Sequence, residues 1–236
     1  MNPPNAAQGD LTIVTFNANQ GLDTLRDNLI RLAEDTGQPH VIALQEVKNF
    51  SGTIPGYHRV VAQPTADNRE ADNCALLLRR DVAVGRERHL LVKGGAWRWH
   101  RPHPPRVYAA ATIEADGRRW DVMSVHRIPG GPLAGIKENR PAWAAEHSAI
   151  EARVLKRAEL AGHPQVLAGD WNDRADNDHP LSVGSLADRI EGQLVLPKRG
   201  IDGVIAVGCR VVDVEKLAEK YGSDAHRPVV ITLSAG

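Results

Sequence analysis

The sequence predicts an α/β protein built on sheets, and three observations lead to that class. Short apolar runs recur along the chain, each bounded by Gly, Pro, Asn or Asp, as strands are. Stretches with helical spacing fall between them, at 22–32 and 143–161. The 236 residues, 42% hydrophobic and 25% charged, are enough for one large domain with a substantial core. That balance excludes the disordered, collagen-like and coiled-coil classes.

In order, the leader 1–10 is rich in Pro and Asn and is expected to be flexible, with the folded domain spanning 11–236. Its lack of a basic start and apolar centre argues against a signal peptide, so a cytoplasmic protein is expected. No apolar run approaches membrane-spanning length. Leu11 to Phe16 alternates as a strand and ends at Asn17-Ala18-Asn19. Leu22, Leu25, Leu29 and Leu32 share one helical face, and Gly37 is a plausible stop. His40 to Leu44 is a buried strand running into Gln45-Glu46. A glutamate there must be paired, metal-bound or at the surface, because burying it bare is too costly. Tyr57 to Ala62, Cys74 to Leu78 and Asp81 to Leu91 read as further strands.

The segment Gly94 to Arg106 carries Trp97, Trp99, Arg98, Arg101 and Arg106 among prolines that forbid a central strand. Aromatics interleaved with arginine suit nucleic-acid contact; tryptophans anchoring a loop to the core explain the pattern equally well. Val107 to Ile113 and Trp120 to Val125 form a hairpin that delivers His126, with Arg127 beside it. Asn139 and Pro141 open a long helix. Its stripe holds Trp143, His147, Ile150, Val154, Ala158 and Ala161, with His147 expected as a satisfied core histidine; Gly162 and Pro164 end it.

Val166 to Ala168 is a buried strand and Gly169 permits a sharp turn into Asp170-Trp171-Asn172-Asp173. Residues at i and i+2 of an extended segment point the same way, so Asp170 and Asn172 project together. A carboxylate beside a carboxamide can hold and deprotonate water, although an Asx turn closing a strand is the blander explanation. Polar loop is expected from Asp173 to about Leu186, including Asp176, Asp178 and His179. Ile201 to Ile205 carries Asp202, Asp213 is expected to cap a brief helix ending near Gly222, and Pro228 to Ile231 is the last strand, preceded by Asp224 and His226.

Asn17, Glu46, His126, Asp170, Asn172, Asp202, Asp224 and His226 thus all lie at or beside strand ends, which points to one polar cleft. The set is rich in carboxylates suited to a hard divalent cation and contains no thiolate. Gly-x-Ser-x-Gly and phosphate-loop motifs are absent. Cys74 and Cys209 are widely spaced and read as core residues, with a disulfide left open. Lys plus Arg and Asp plus Glu both number 29, so affinity for nucleic acid would need a local basic face.

The ordered set Thr15-Phe16-Asn17, Leu44-Gln45-Glu46, Ser124-Val125-His126, Gly169-Asp170-Trp171-Asn172, Ile201-Asp202 and Ser223-Asp224-Ala225-His226-Arg227-Pro228-Val229 resembles the endonuclease/exonuclease/phosphatase superfamily. The resemblance runs from about Leu11 to Leu233. It implies a four-layer α/β/β/α sandwich of two mixed, mostly antiparallel sheets with helices outside. It implies Mg²⁺, or Mn²⁺ as a substitute, held by Glu46 with Asn17 and Asp224. Asp170 would deprotonate the attacking water, Asn172 would align it, and His226, oriented by Asp202, would donate to a phosphate oxygen. His126 would donate a proton to the leaving oxygen, with Asp72 the nearest equivalent of the acid that orients it. Arg106, Arg127, Arg101 and Trp99 are expected to bind substrate. One departure stands out: Ala225 separates Asp224 from His226, and a one-residue shift turns an extended side chain to the opposite face unless a bulge absorbs it. The resemblance implies phosphate-ester hydrolysis but not the leaving group; the Arg98, Arg101 and Arg106 loop with Trp97 and Trp99, and Arg127 beside His126, favour DNA over RNA as partner, and no membrane is expected. A small-molecule phosphodiesterase or phosphatase is the alternative, and a silent binding module the third reading.

Overall fold

The computed structural model describes residues 10–20, 22–47, 53–61, 74–92, 97–98, 101–102, 106–128, 140–197, 200–223 and 225–235. In chain order the elements are β1 (Asp10–Gln20), α1 (Leu22–Asp35), β2 (Val41–Val47), β3 (Tyr57–Val61), β4 (Ala75–Arg79), β5 (Ala83–Val92), β6 (Trp97–Arg98), β7 (Arg101–Pro102), β8 (Arg106–Ala115) and β9 (Arg118–His126). There follow α2 (Arg140–Ala161), β10 (Gln165–Asp170), α3 (Val183–Arg189), β11 (Gly192–Val195), β12 (Asp202–Val207), β13 (Arg210–Lys216) and β14 (Val229–Ser234).

The strands form two six-stranded sheets, ordered β13-β14-β1-β2-β4-β3 and β11-β12-β10-β9-β8-β5. β1 and β2 run parallel, as do β9 and β10, and the other pairs are antiparallel. The predicted sandwich is therefore the one observed. Alternation along β1 and β2 explains the layers: Ile13, Val41 and Ala43 join the core shared with the second sheet, while Val14, Phe16, Ile42 and Leu44 pack with Leu25, Leu29 and Leu32 of α1. Both faces of these central strands are buried, which is why they read as nearly unbroken apolar runs. On the second sheet, Ile150 and Val154 of α2 and Val183 and Leu186 of α3 join its buried residues.

Gly37 ends α1 as expected: it adopts φ 72°, and the N–H groups of Gly37 and Gln38 donate to the carbonyls of Glu34 and Ala33, satisfying the last turn. Among the described residues no helix is long and apolar enough to cross a membrane. Neither cysteine forms a disulfide; Cys74 lies in the core and Cys209 is partly covered.

Three expectations are corrected. Asp213 caps no helix; it lies in β13, opposite Thr232, where pairing with β14 overrides the helix-forming composition around it. The stretch expected as loop contains the start of α3, capped by the Ser182 side chain, which accepts from the Ser185 N–H, and anchored by Val183, Leu186 and Ala187. The proline-rich segment carries a small two-stranded ladder, β6 with β7, separate from the main sheets. His147 is buried as expected, yet among the described residues neither ring nitrogen has a hydrogen bond of good geometry. Tyr57 to Ala62 is a strand through Val61; Ala62 and Asn139 lie outside the described residues.

Candidate active site

The site forms where strand ends of both sheets meet. Asp170 closes β10, directly opposite His126 at the end of β9 and Asp202 at the start of β12. Gly169 makes this approach possible: a Cβ there would lie 1.9 Å from the Val125 carbonyl oxygen, so no larger residue fits without moving backbone. Asn17 and Glu46 arrive from the parallel pair β1 and β2 of the other sheet. Two of the turns are strained, with Glu46 at φ 55° and Asn172 at φ 47°. Non-glycine residues rarely adopt that region, and such strain concentrates at functional positions.

Asp170 is the hub. Its Oδ2 accepts from Asn17 Nδ2 at 2.9 Å, and its Oδ1 accepts from the Asn172 N–H at 2.8 Å. The Nε2 atoms of His126 and His226 both lie 3.8 Å from Oδ2. Asn17 Nδ2 also donates to Glu46 Oε1 at 3.1 Å, which lies 3.4 Å from His126 Nε2. His226 Nδ1 faces both oxygens of Asp202, at 3.1 and 3.2 Å. The Asn172 side chain donates to the Arg127 carbonyl at 2.7 Å, locking the turn after β10.

These contacts set distinct protonation states. Burial and the neighbouring Asp202 charge push Asp170 up to about 6, against the pull of His226, Asn17 and the Asn172 N–H. Burial alone would lower His226, but its hydrogen bond to Asp202 and the charges of Asp202, Asp170 and Glu46 win, and its pKa is raised. His126 is driven well below the ordinary histidine value by burial, then by Arg106 and His226. One histidine therefore favours the cation and the other the neutral ring.

Asn17, Glu46, His126, Asp170, Asn172, Asp202 and His226 are thus brought together as the sequence predicted. Two expected substrate-binding arginines are not on the cleft surface. Arg106 is buried, with Nη1 2.5 Å from His126 Nδ1. Arg127 is fully buried: its Nε donates to Glu146 at 3.3 Å, its Nη2 to the Leu181 carbonyl at 3.1 Å, and its guanidinium lies 4.1 Å from the Trp143 ring. A buried carboxylate captured it. Asp72, Trp99 and Asp224 lie outside the described residues, as does the side chain of Arg101.

Two polar clusters beneath the site went unassigned in the sequence. Gln45 Nε2 donates to Ser124 Oγ at 3.0 Å, and Ser124 Oγ donates to the Leu44 carbonyl at 2.8 Å, tying the two sheets together. Tyr108 donates to Glu146 and lies 3.1 Å from the His126 carbonyl. The signal for Glu146 was an acid on the apolar stripe of α2, three residues after Trp143.

The donor set suits a hard divalent cation. Asp170, Asp202 and His226 each place one ligand atom within 4.8 Å of the others, and Glu46 adds a partly exposed carboxylate. Asn17 uses its nitrogen here to bridge Glu46 and Asp170, and a half-turn of its carboxamide would present oxygen instead. His226 Nδ1 is committed to Asp202, leaving Nε2 facing the cleft.

The sequence model of the Endonuclease/Exonuclease/phosphatase family matches residues 14–205. The chain belongs to this family. Its fold is that of phosphoric-ester hydrolases, typically dependent on a divalent metal. Solved structures with the same fold include the human Nocturnin catalytic domain, 14% identical, with 98% of this chain and 96% of that one covered and a TM-score of 0.72. An AP endonuclease from Leishmania major is 15% identical over 97% of this chain and 89% of its own, with a TM-score of 0.68. A mannosyl-6-phosphatase from Bacteroides thetaiotaomicron is 14% identical over 94% and 99%, with a TM-score of 0.66. No curated protein matches the chain in sequence. The family match stops before His226, so that residue's place in the site rests on its geometry.

Proposed function

We propose that the chain is a divalent-metal-dependent phosphodiesterase, and that its substrate is DNA. The observation that supports this most is the arrangement around Asp170: a buried carboxylate, pushed up to about 6, facing the Nε2 atoms of two histidines, one raised by its carboxylate neighbours and the other lowered by burial. Near neutral pH Asp170 is a carboxylate basic enough to take a proton from water. The Asn172 N–H and the Asn17 amide hold its two oxygens in place. As the water oxygen bonds to phosphorus, its proton passes to Asp170 and the ester oxygen departs on the opposite side.

The histidines divide the remaining work. His226, its pKa raised by Asp202 and its ring fixed by that carboxylate through Nδ1, presents Nε2–H to the phosphoryl group and supplies the proton to the leaving oxygen. His126, held neutral, donates a hydrogen bond to a phosphate oxygen without giving up its proton. Proton delivery thus moves from His126, where the family resemblance put it, to His226. Glu46, with Asn17, would hold Mg²⁺ or Mn²⁺, which supplies charge stabilisation at the phosphate when bound.

DNA is favoured because the Arg- and Trp-bearing segment leads directly into Arg106 and an AP endonuclease shares the fold. The second reading is a small-molecule phosphoesterase. It draws on the withdrawal of Arg106 and Arg127 into the interior and on the mannosyl-6-phosphatase of like fold. Incubation with supercoiled plasmid, linear duplex, abasic duplex and RNA, in Mg²⁺ or EDTA, separates them. Metal-dependent cleavage of DNA supports the first reading. Hydrolysis of bis-p-nitrophenyl phosphate or sugar phosphates with all polymers intact replaces it with the second.

A further inference from the structure

Away from the catalytic cleft, the outer face of the second sheet carries an excess of arginine. Strand register sets Arg86 beside Thr112 and Thr112 beside Asp121, one row across β5, β8 and β9. Arg88 lies two residues along on the same face, and Arg153 and Arg157, one helical turn apart on α2, come down onto Asp121 from above. Arg157 takes the carboxylate, with Nη2 2.6 Å and Nε 2.9 Å from Oδ2. Arg88 reaches only 3.5 Å from Oδ1 and 3.3 Å from Thr112 Oγ1. Arg153 has Asp121 only at longer range, and neither it nor Arg86 makes a hydrogen bond or close ion pair among the described residues. Beyond Asp121, the other carboxylate in reach among the described residues is Glu114, which faces Arg119 at 3.5 Å. Arg86, Arg88, Arg119, Arg157 and His163 therefore line a cavity of about 340 Å³ with Asp121 and Glu114 the carboxylates in reach among the described residues, while Arg153 does not line it but adds its charge beside Arg88 and Arg157.

Arg88, Arg153 and Arg157 are partly buried, with Arg86 and Arg119 exposed at the rim, and partly buried guanidinium groups that repel one another are costly without counter-charge. Burial together with mutual repulsion lowers both Arg88 and Arg153. Guanidinium forks match phosphate oxygens in pairs, and arginines arriving from two strands and a helix surround an anion rather than clamp a flat carboxylate. We infer that this cavity is a second, non-catalytic site for a compact oligophosphate, of the class of pyrophosphate or a nucleotide polyphosphate tail. It is separate from the cleft: Asp121 precedes His126 by five residues of β9, about 16 Å at the usual rise. The site stands on its own charges and does not depend on what the cleft hydrolyses.

The test titrates pyrophosphate into metal-free protein in EDTA at constant ionic strength, read by calorimetry and by the unfolding midpoint. One saturable site and a raised midpoint are expected, both retained in His226→Ala. Arg86→Gln/Arg88→Gln should bind roughly tenfold more weakly or worse. Its hydrolytic rate should stay within about twofold of the parent, as for changes away from a site. Arg86→Gln alone, which breaks no contact among the described residues, should show part of the same loss. Unchanged affinity in the arginine variants overturns the inference. So does loss of binding in His226→Ala, which would put the anion in the catalytic cleft, or an equal effect from chloride.

Discussion

The guanidinium of Arg106 lies with Nη1 2.5 Å from Nδ1 of His126, and both side chains are buried. Arginine has only donors and keeps its charge, so Nδ1 must be the bare acceptor nitrogen of a neutral ring. The proton is then on Nε2, the atom that faces Glu46 and Asp170. Arg106 thus fixes which nitrogen of His126 carries the hydrogen that faces the cleft.

Arg106→Met should therefore release the tautomer. Nitrogen-15 spectra of the imidazole should show Nε2–H in the parent and mixed or charged forms in the variant, with kcat down about tenfold to a hundredfold. Arg106→Lys keeps a donor at the spot and should recover most of the loss. An unaltered nitrogen spectrum in Arg106→Met contradicts the assignment.

The raised Asp170 pKa has a stability consequence opposite to that of most carboxylates. The folded state holds its proton more tightly than the unfolded chain, so stability falls as pH rises from about 4 toward and past 6. Asp170→Asn should abolish turnover in Mg²⁺ and yet, in EDTA, raise the unfolding midpoint at pH 8 by the equivalent of about 1–3 kcal/mol. The gain should vanish near pH 4, where the parent is protonated too. Equal midpoints at pH 8 would show that the burial of this carboxylate costs nothing.

Asp202 raises His226, so Asp202→Asn should move the alkaline limb of the kcat profile to lower pH. The acid limb, set by Asp170, should also shift downward because the Asp202 charge no longer raises it. A profile identical to the parent's would remove His226 from proton delivery.

Gly169→Ala should destabilise the fold by about 1–3 kcal/mol or more, because the added methyl meets the Val125 backbone rather than a side chain that can rotate away. Urea unfolding reads this directly, and a midpoint shift under a few tenths of a molar would mean that β10 can retreat from β9.

Much of this was readable from the chain. Glu46, Asp170 and His226 each follow or precede an apolar run, and chemistry-bearing residues at strand ends converge wherever strands share a sheet edge. What the sequence withheld was depth. Arg106 follows a proline-rich stretch and looks exposed; its burial depends on which face β8 turns toward β9. Arg127 is drawn inward by Glu146, an acid nineteen residues on that reaches it only once α2 packs on the sheet. Asp213 sits in a segment of helix-like composition that becomes a strand because β14 offers an open edge. Local pattern named the groups, and long-range packing chose their partners.

The most direct test of the central claim is hydrolysis of bis-p-nitrophenyl phosphate at saturating Mg²⁺ by the parent, Asp170→Asn and His226→Ala. A fall of at least about a thousandfold is predicted for Asp170→Asn and about a hundredfold for His226→Ala, with the parent silent in EDTA. Parent-like rates in Asp170→Asn, or full activity without metal, would contradict a metal-assisted centre organised around that carboxylate.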